Sequence, residues 1–180
     1  MPSRDHRPGP VVRRLEPDDW DLARALRLAA LTADPRCFGE AYDAAAARDE
    51  GAWRAQLEDT AAWFAAYCDS SAGASPVGLA VFYPTDTYPD GAPQLGAMWV
   101  EQAWRRRGVA AALAAAVHDA ARATGATAVG LWVTAGNDAA RSAYRRLGYR
   151  ETGATKPAPR DPAVPMHRML RDVGPARLNG

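Results

Sequence analysis

Two strand-to-helix units constrain this chain more than any other feature. In the first, the apolar run Leu95-Gly96-Ala97-Met98-Trp99-Val100 passes through a short polar turn into Arg105-Arg106-Arg107-Gly108-Val109-Ala110, which opens a long Ala-rich helix. In the second, an apolar run around Leu131 breaks at Gly136-Asn137 and continues as a helix closed by Gly148. A helix N-terminus offers several unpaired N–H groups and roughly half a positive charge to an anion. For the backbone to reach phosphate oxygens nothing bulky can project from the turn, and Gly108 and Ala110 are small; Arg105, Arg106 and Arg107 add charge at the entrance. By itself the first unit reads either as a phosphate cradle inside an α/β domain or as a solvated basic helix start from Trp104 to Arg107.

The rest of the chain is consistent with one domain. At 180 residues it is long enough to bury a good core. Its 22 basic and 21 acidic residues leave a net charge of +1, so no global field recruits nucleic acid or an anionic membrane. Cys37 and Cys68 are too few for a disulfide framework and lack metal-ligand spacing, which predicts reduced thiols, no metal site and a cytoplasmic protein. Met1 to Pro10 has no apolar stretch of a targeting signal, and no run approaches the ~20 apolar residues of a membrane span.

Patterning orders the elements. Val11 to Leu15 reads as a strand, and Glu16-Pro17-Asp18-Asp19 starts a helix with Leu22, Leu26, Ala29 and Ala30 on one face, ended by Asp34-Pro35. Arg36 to Asp49 reads as loop, and Glu50 to Glu58 as a short helix with Trp53 and Leu57 on one side. Ala61 to Cys68 and Val77 to Phe82 predict a hairpin across a turn-rich segment. Tyr83 to Pro93, with three prolines, reads as loop. A helix from about Arg105 to Ala123 carries Val109, Leu113, Ala116, Val117 and Ala120 inward. Ala128 to Val133, then Asp138 to Leu147, make the second strand-to-helix unit. Arg150 to Gly153 and Val164 to Leu170 predict a last antiparallel pair, with Ala154 to Pro162 as a mobile Pro-rich loop. The domain is expected over residues 11–170, between a flexible tail over 1–10 and another over 171–180.

The order Arg105-x-x-Gly108-x-Ala110, followed by Asn137-x-x-Ala140-x-x-x-Tyr144-x-x-x-Gly148-Tyr149, resembles the two core motifs of the GCN5-related N-acetyltransferase (GNAT) family. That resemblance implies a mixed central sheet with helices on both faces and splayed central strands. It implies an acetyltransferase that binds acetyl-CoA and passes the acyl group to a primary amine by direct attack in a ternary complex. Residues Arg105 to Ala110 would hold the pyrophosphate, and the backbone of Met98, Trp99 and Val100 would receive the thioester and pantetheine. The Met98 N–H would donate to the oxyanion, and Val100 would pair with the pantetheine arm like another strand. Asn137 and Tyr144, seven residues and roughly 700° apart, share a helix face; Asn137 would cap the helix and contact pantetheine, and Tyr144 would protonate the departing thiolate. A phenol near 10 can donate to a thiolate whose conjugate acid lies near 8.5 when the two are in contact.

Two parts of the site are less well marked. Histone-type members carry a glutamate where this chain has Gln94, which cannot accept a proton; Glu40, Glu101, Asp86 and Asp90 are the substitutes, with Glu40 preferred as catalytic base. The acceptor wall draws on Phe38, Tyr42, Trp53, Tyr83 and Tyr88. The expected acceptor is a small-molecule amine, with a protein N-terminus as a further candidate; neither nucleic acid nor membrane is expected as a partner, and a homodimer is left open. Two other readings remain: a catalytically degenerate acyl-CoA-binding regulatory module, and an unrelated nucleotide-binding protein, which lacks the Gly-x-Gly-x-x-Gly and Gly-Lys-Ser/Thr patterns.

Overall fold

Near-continuous apolar runs along Ala62–Ser70 and Gly73–Tyr83 give each strand two buried faces, so both sides of the sheet need a helical cover. The computed structural model, which describes residues 9–59, 61–71, 73–84 and 88–174, supplies both covers. Its elements are β1 (Val11–Leu15), α1 (Trp20–Ala33), α2 (Tyr42–Ala46), α3 (Glu50–Glu58), β2 (Ala62–Ser70), β3 (Gly73–Tyr83), β4 (Gln94–Val100), α4 (Val109–Ala123), β5 (Ala128–Thr134), α5 (Asp138–Arg146), β6 (Arg150–Ala158) and β7 (Asp161–Asp172). The seven strands run in the order β1-β2-β3-β4-β5-β7-β6. All neighbours are antiparallel except β4 and β5.

One core lies under α4, where Val109, Leu113, Val117 and Ala121 meet Phe64, Phe82, Leu131 and Met169. The other lies under α1 and α3, where Leu26, Leu31, Trp53 and Leu57 meet Trp63, Leu79, Val81 and Trp99. Trp53 is fully buried and meets Trp63 edge to face, ring centroids 6.1 Å apart.

The strand carrying Met98 is irregular. Leu95 and Val100 both enter the core under α4, although five residues apart in a regular strand they would face opposite ways. One extra residue reconciles them: the register with β3 steps from Val81↔Gly96 to Leu79↔Trp99, so Ala97 and Met98 share the space opposite Ala80. Ala97 takes the cost, with φ 49°.

Several boundaries differ from the sequence expectation. The helix after the arginine run begins at Val109, not Arg105: Gln102–Trp104 forms a 3-10 turn, and Arg106 and Gly108 have φ of 62° and 84°, which no helix continues through. The segment read as loop contains α2, five residues too short to show a period. The β2–β3 turn is confined to Ser70–Gly73. Ala154 to Pro162 is no open loop either. β6 and β7 run through it with Pro157 opposite Pro165, and β6 tolerates proline because it is an edge strand whose outer N–H groups need no partner. β7 continues to Asp172. The inner face of α1 is Ala23, Leu26, Arg27, Ala30 and Leu31, so Leu22 is half-buried and Ala29 is exposed. The terminal residues 1–8 and 175–180, and Asp86, lie outside the described residues.

Candidate active site

The parallel pair β4–β5 is joined at a single register position, Gln94↔Gly130, with the Gly130 N–H donating to Pro93 O at 2.8 Å. Beyond that point the strands have no ladder, and a cleft of about 450 Å³ opens between them. That volume suits a small-molecule ligand. β4 contributes Gln94 to Met98, β5 contributes Trp132 to Thr134, and α5 contributes Ala140 and Tyr144, with Asn137 just ahead of it. The α1–α2 connection supplies Cys37, Phe38 and Gly39 and the β6–β7 hairpin supplies Lys156, Pro159 and Met166. These last two segments meet: a Cβ on Gly39 would stand 3.0 Å from Pro159, and Arg160 Nη1 donates to Pro35 O at 3.0 Å.

Asn137 and Tyr144 share the cleft wall, as their spacing predicts. Asn137 Oδ1 accepts from Ala140 N at 3.1 Å, capping α5, and its Nδ2 donates to Cys37 Sγ at 3.2 Å. Burial, and then the charge of the Cys37 sulfur, push the Tyr144 phenol above its ordinary value; burial and Asp34 likewise push the Cys37 thiol up. Behind Tyr144 stands Tyr149, ring centroids 5.8 Å apart, and the Tyr149 hydroxyl lies 2.8 Å from His118 Nε2 on α4.

Met98 lines the cleft from the bulge, while Trp99 and Val100 are buried in opposite cores. Past the strand, Arg105 is occupied: its Nε donates to Val100 O at 2.9 Å and its Nη2 to Asp34 at 2.6 Å. Arg107 stacks over Trp104 at 5.2 Å, and both border a second hollow of about 520 Å³ beside Asp69 to Ser71. A Cβ on Gly108 would meet nothing within 4 Å, so the residue is glycine for its left-handed backbone and for open space at the first turn of α4.

The acids are drawn elsewhere. Glu40 does not line the cleft; its Oε2 accepts from Arg27 Nε at 2.9 Å and its Oε1 ion-pairs with Arg48. Two guanidiniums on one carboxylate are a structural clamp, and accepting a proton would break both pairs, so the geometry does not favour Glu40 as base. Asp90 is held by Arg168, Nε to Oδ2 at 3.0 Å and Nη2 to Oδ1 at 2.8 Å. Burial raises the Asp90 carboxyl, but the bonds from Arg168 and the Ala92 N–H outweigh it and hold the group below its usual value. Glu101 is exposed, its N–H donating to Val77 O at 2.9 Å. Of the expected acceptor-wall aromatics, Phe38 and Tyr83 line the cleft. Trp53 is core, Tyr42 is exposed, and Tyr88 packs on Trp132 at 5.0 Å. Sequence reading overlooked Arg27, Trp132, Lys156 and Cys37 as wall residues. Arg27 had a signal, since it sits within the apolar stripe of α1 at positions 23, 26, 27, 30 and 31. Among the described residues no helix is long and apolar enough to cross a membrane, and no group of three or more His, Cys, Asp or Glu could hold a metal ion.

A splayed parallel pair with a bulge, a glycine-led helix start and a tyrosine on the next helix frame the cleft. The family model described as the acetyltransferase (GNAT) family matches residues 27–149. The chain belongs to that family of N-acetyltransferases. Solved structures agree in fold. A GNAT acetyltransferase from Streptococcus pneumoniae superimposes with TM-score 0.71 at 18% identity, over 92% of this chain and 99% of that one. A GCN5-related N-acetyltransferase from Kribbella flavida gives 0.68 at 23% identity over 91% and 98%. The yncA protein of Salmonella typhimurium, solved with its cofactor acetyl-CoA, gives 0.69 at 15% over 96% and 98%. A search of curated protein sequences found no significant match.

Proposed function

We propose that this chain transfers the acetyl group of acetyl-CoA to a primary amine by direct attack, with both substrates in the cleft between β4 and β5. The observation that carries the proposal is the bulge: it places Ala97 and Met98 outside the β3 ladder and on the cleft wall. The Met98 N–H is thereby available to a carbonyl oxygen as it gains negative charge. The main chain of Val100, and of Trp99 beside it, continues the strand along which pantetheine can lie, although both side chains are buried in the core.

At the far end, the first N–H groups of α4, from Gly108, Val109 and Ala110, are free to receive the pyrophosphate of coenzyme A, with the helix dipole behind them. Arg106 and Arg107 are exposed beside them and add charge, while Arg105 holds the turn to Val100 and Asp34. Asn137 contributes to the pantetheine wall. Tyr144 is the acid: its raised pKa keeps the phenol protonated throughout the neutral range, although it makes full transfer to a thiolate uphill. Its role is therefore a hydrogen bond, and a late proton, to the departing sulfur. The amine proton leaves through water, because Gln94 lines the cleft without basicity and Glu40 is clamped outside it.

The test is thiol release from acetyl-CoA with a panel of amines, repeated with Tyr144→Phe. The variant keeps the ring and its packing on Tyr149, so coenzyme A affinity changes little while kcat falls by ~10²-fold. Wild-type turnover in Tyr144→Phe would remove the assigned role, and no release with any amine would leave a binding module rather than an enzyme.

A further inference from the structure

One wall of the cleft carries a cation that is not fully paired. Arg27 lies on the inner face of α1 among Ala23, Leu26, Ala30 and Leu31, its side chain 9% exposed. A guanidinium there loses its water and must be repaid by partners. Its Nε has Glu40, but its Nη1 is buried with no hydrogen-bond partner. Glu40 also serves Arg48, so two guanidiniums share one carboxylate and the cluster keeps one positive charge. Phe38 lies beneath the guanidinium, 4.8 Å from Cζ to ring centroid, and fixes its plane.

The remaining charge in the wall has the same sign. Among the described lining residues the ionised side chains are Arg27 and Lys156, and no carboxylate is present. Lys156 is held with its ammonium 4.3 Å from the Trp132 ring centroid. A polycationic acceptor would meet repulsion here. A buried, unsatisfied N–H on a charged group in a ligand cleft is instead the donor that an anionic oxygen satisfies, with the strength of a charge-assisted hydrogen bond.

We propose that the acceptor is a small molecule whose reacting primary amine is accompanied by a carboxylate, and that the Arg27 guanidinium, turned so that its buried Nη1 is uncovered, binds that carboxylate. The inference rests on the acetyl-transfer reading above and adds the acceptor class. It distinguishes an amino-acid-like acceptor from a protein N-terminus, whose first residue has its carboxyl group tied up in a peptide bond.

The experiment is a thiol-release assay on the unaltered protein with matched sets: amino acids, their α-amides, the corresponding decarboxylated amines, and short peptides with free N-termini. The amino-acid members are expected to exceed their amides and amines in kcat/KM by about 10- to 100-fold, the range of one charge-assisted hydrogen bond. Arg27→Met should collapse that ratio toward one, mainly through KM for the amino acid, with Arg27→Lys retaining part of it. Should Arg27→Met fail to fold, the preference measured on the unaltered protein decides alone. Amides, amines or peptides turned over as well as the amino acids would overturn the proposal while leaving acetyl transfer standing. So would an Arg27→Met variant that lowers every acceptor equally. Release with no member of any set would overturn the acetyl-transfer reading itself.

Discussion

His118 makes a quantitative prediction about acid stability. It sits on the inner face of α4, 2% exposed, with Nε2 against the Tyr149 hydroxyl. Burial, and then the positive charges of Arg171 and Arg122, lower its pKa from the ordinary 6.5 to about 4. The folded state thus prefers the neutral imidazole. As pH falls below 6.5 the unfolded chain takes up a proton that the folded protein refuses until about pH 4, so stability is present above that window and lost within it. Integrating between the two values, about 2 kcal/mol disappears between pH 7.5 and 5, and ~3 kcal/mol by pH 4. The measurement is urea unfolding at a series of pH values, for the unaltered protein and for His118→Gln. The glutamine can keep a hydrogen bond with Tyr149 but does not titrate, so its curve should be flatter by that ~2 kcal/mol at pH 5, whatever its stability at neutral pH. Parallel curves for the two proteins, or an imidazole resonance of His118 titrating near 6.5 in the native state, would refute the reasoning.

Two further substitutions test the frame of the site. Gly108→Val puts a β-branched residue at φ 84° on an exposed turn, and should cut acetyl-CoA affinity, read by calorimetry, in a protein that remains folded; unchanged affinity would remove the turn from the donor site. Gly130→Ala would bring a Cβ to 2.2 Å from Arg168 Nη2 and 2.3 Å from Cζ, at the one position joining β4 to β5. Displacing a fully buried guanidinium should cost roughly 1–3 kcal/mol and lower Tm by several degrees, and a thermal melt with no shift would show that Arg168 is not confined there.

The elements that carry the proposed donor half were legible in the sequence because they are local. A phosphate cradle is a turn followed by a helix, and Asn137 with Tyr144 is one helix face, so a few consecutive residues carry the whole argument. The bulge was not legible. Leu95 and Val100 entering the same core is visible only once the sheet fixes which way each points, and without that the run reads as a plain apolar strand. The proline-rich segment misled for a related reason: proline argues against a central strand but not against an edge, and edge position is a property of the whole sheet. The pairing of Glu40 was not legible because both its partners, Arg27 and Arg48, reach it from α1 and from beyond α2, and a carboxylate's neighbours are not written beside it.

The polar residues inside apolar stripes are a middle case. Arg27 in α1 and His118 in α4 occupy buried positions of stripes that the helical period alone could have exposed, and Arg168 is as deeply buried on β7. A period can say that such a group is buried, and physics then demands a partner. It cannot say whether the demand is met. Arg168 meets it twice over with Asp90, stacks beside Tyr88 and Trp132, and so acts as a clamp on the 88–92 segment. His118 meets it once, with Tyr149, and so stiffens the ring behind Tyr144. Arg27 meets it in part, with Glu40, and keeps a buried orphan N–H on a side chain that lines the cleft. The difference between a strut and a ligand site is that one remaining donor, and it is set by contacts between elements far apart in the chain.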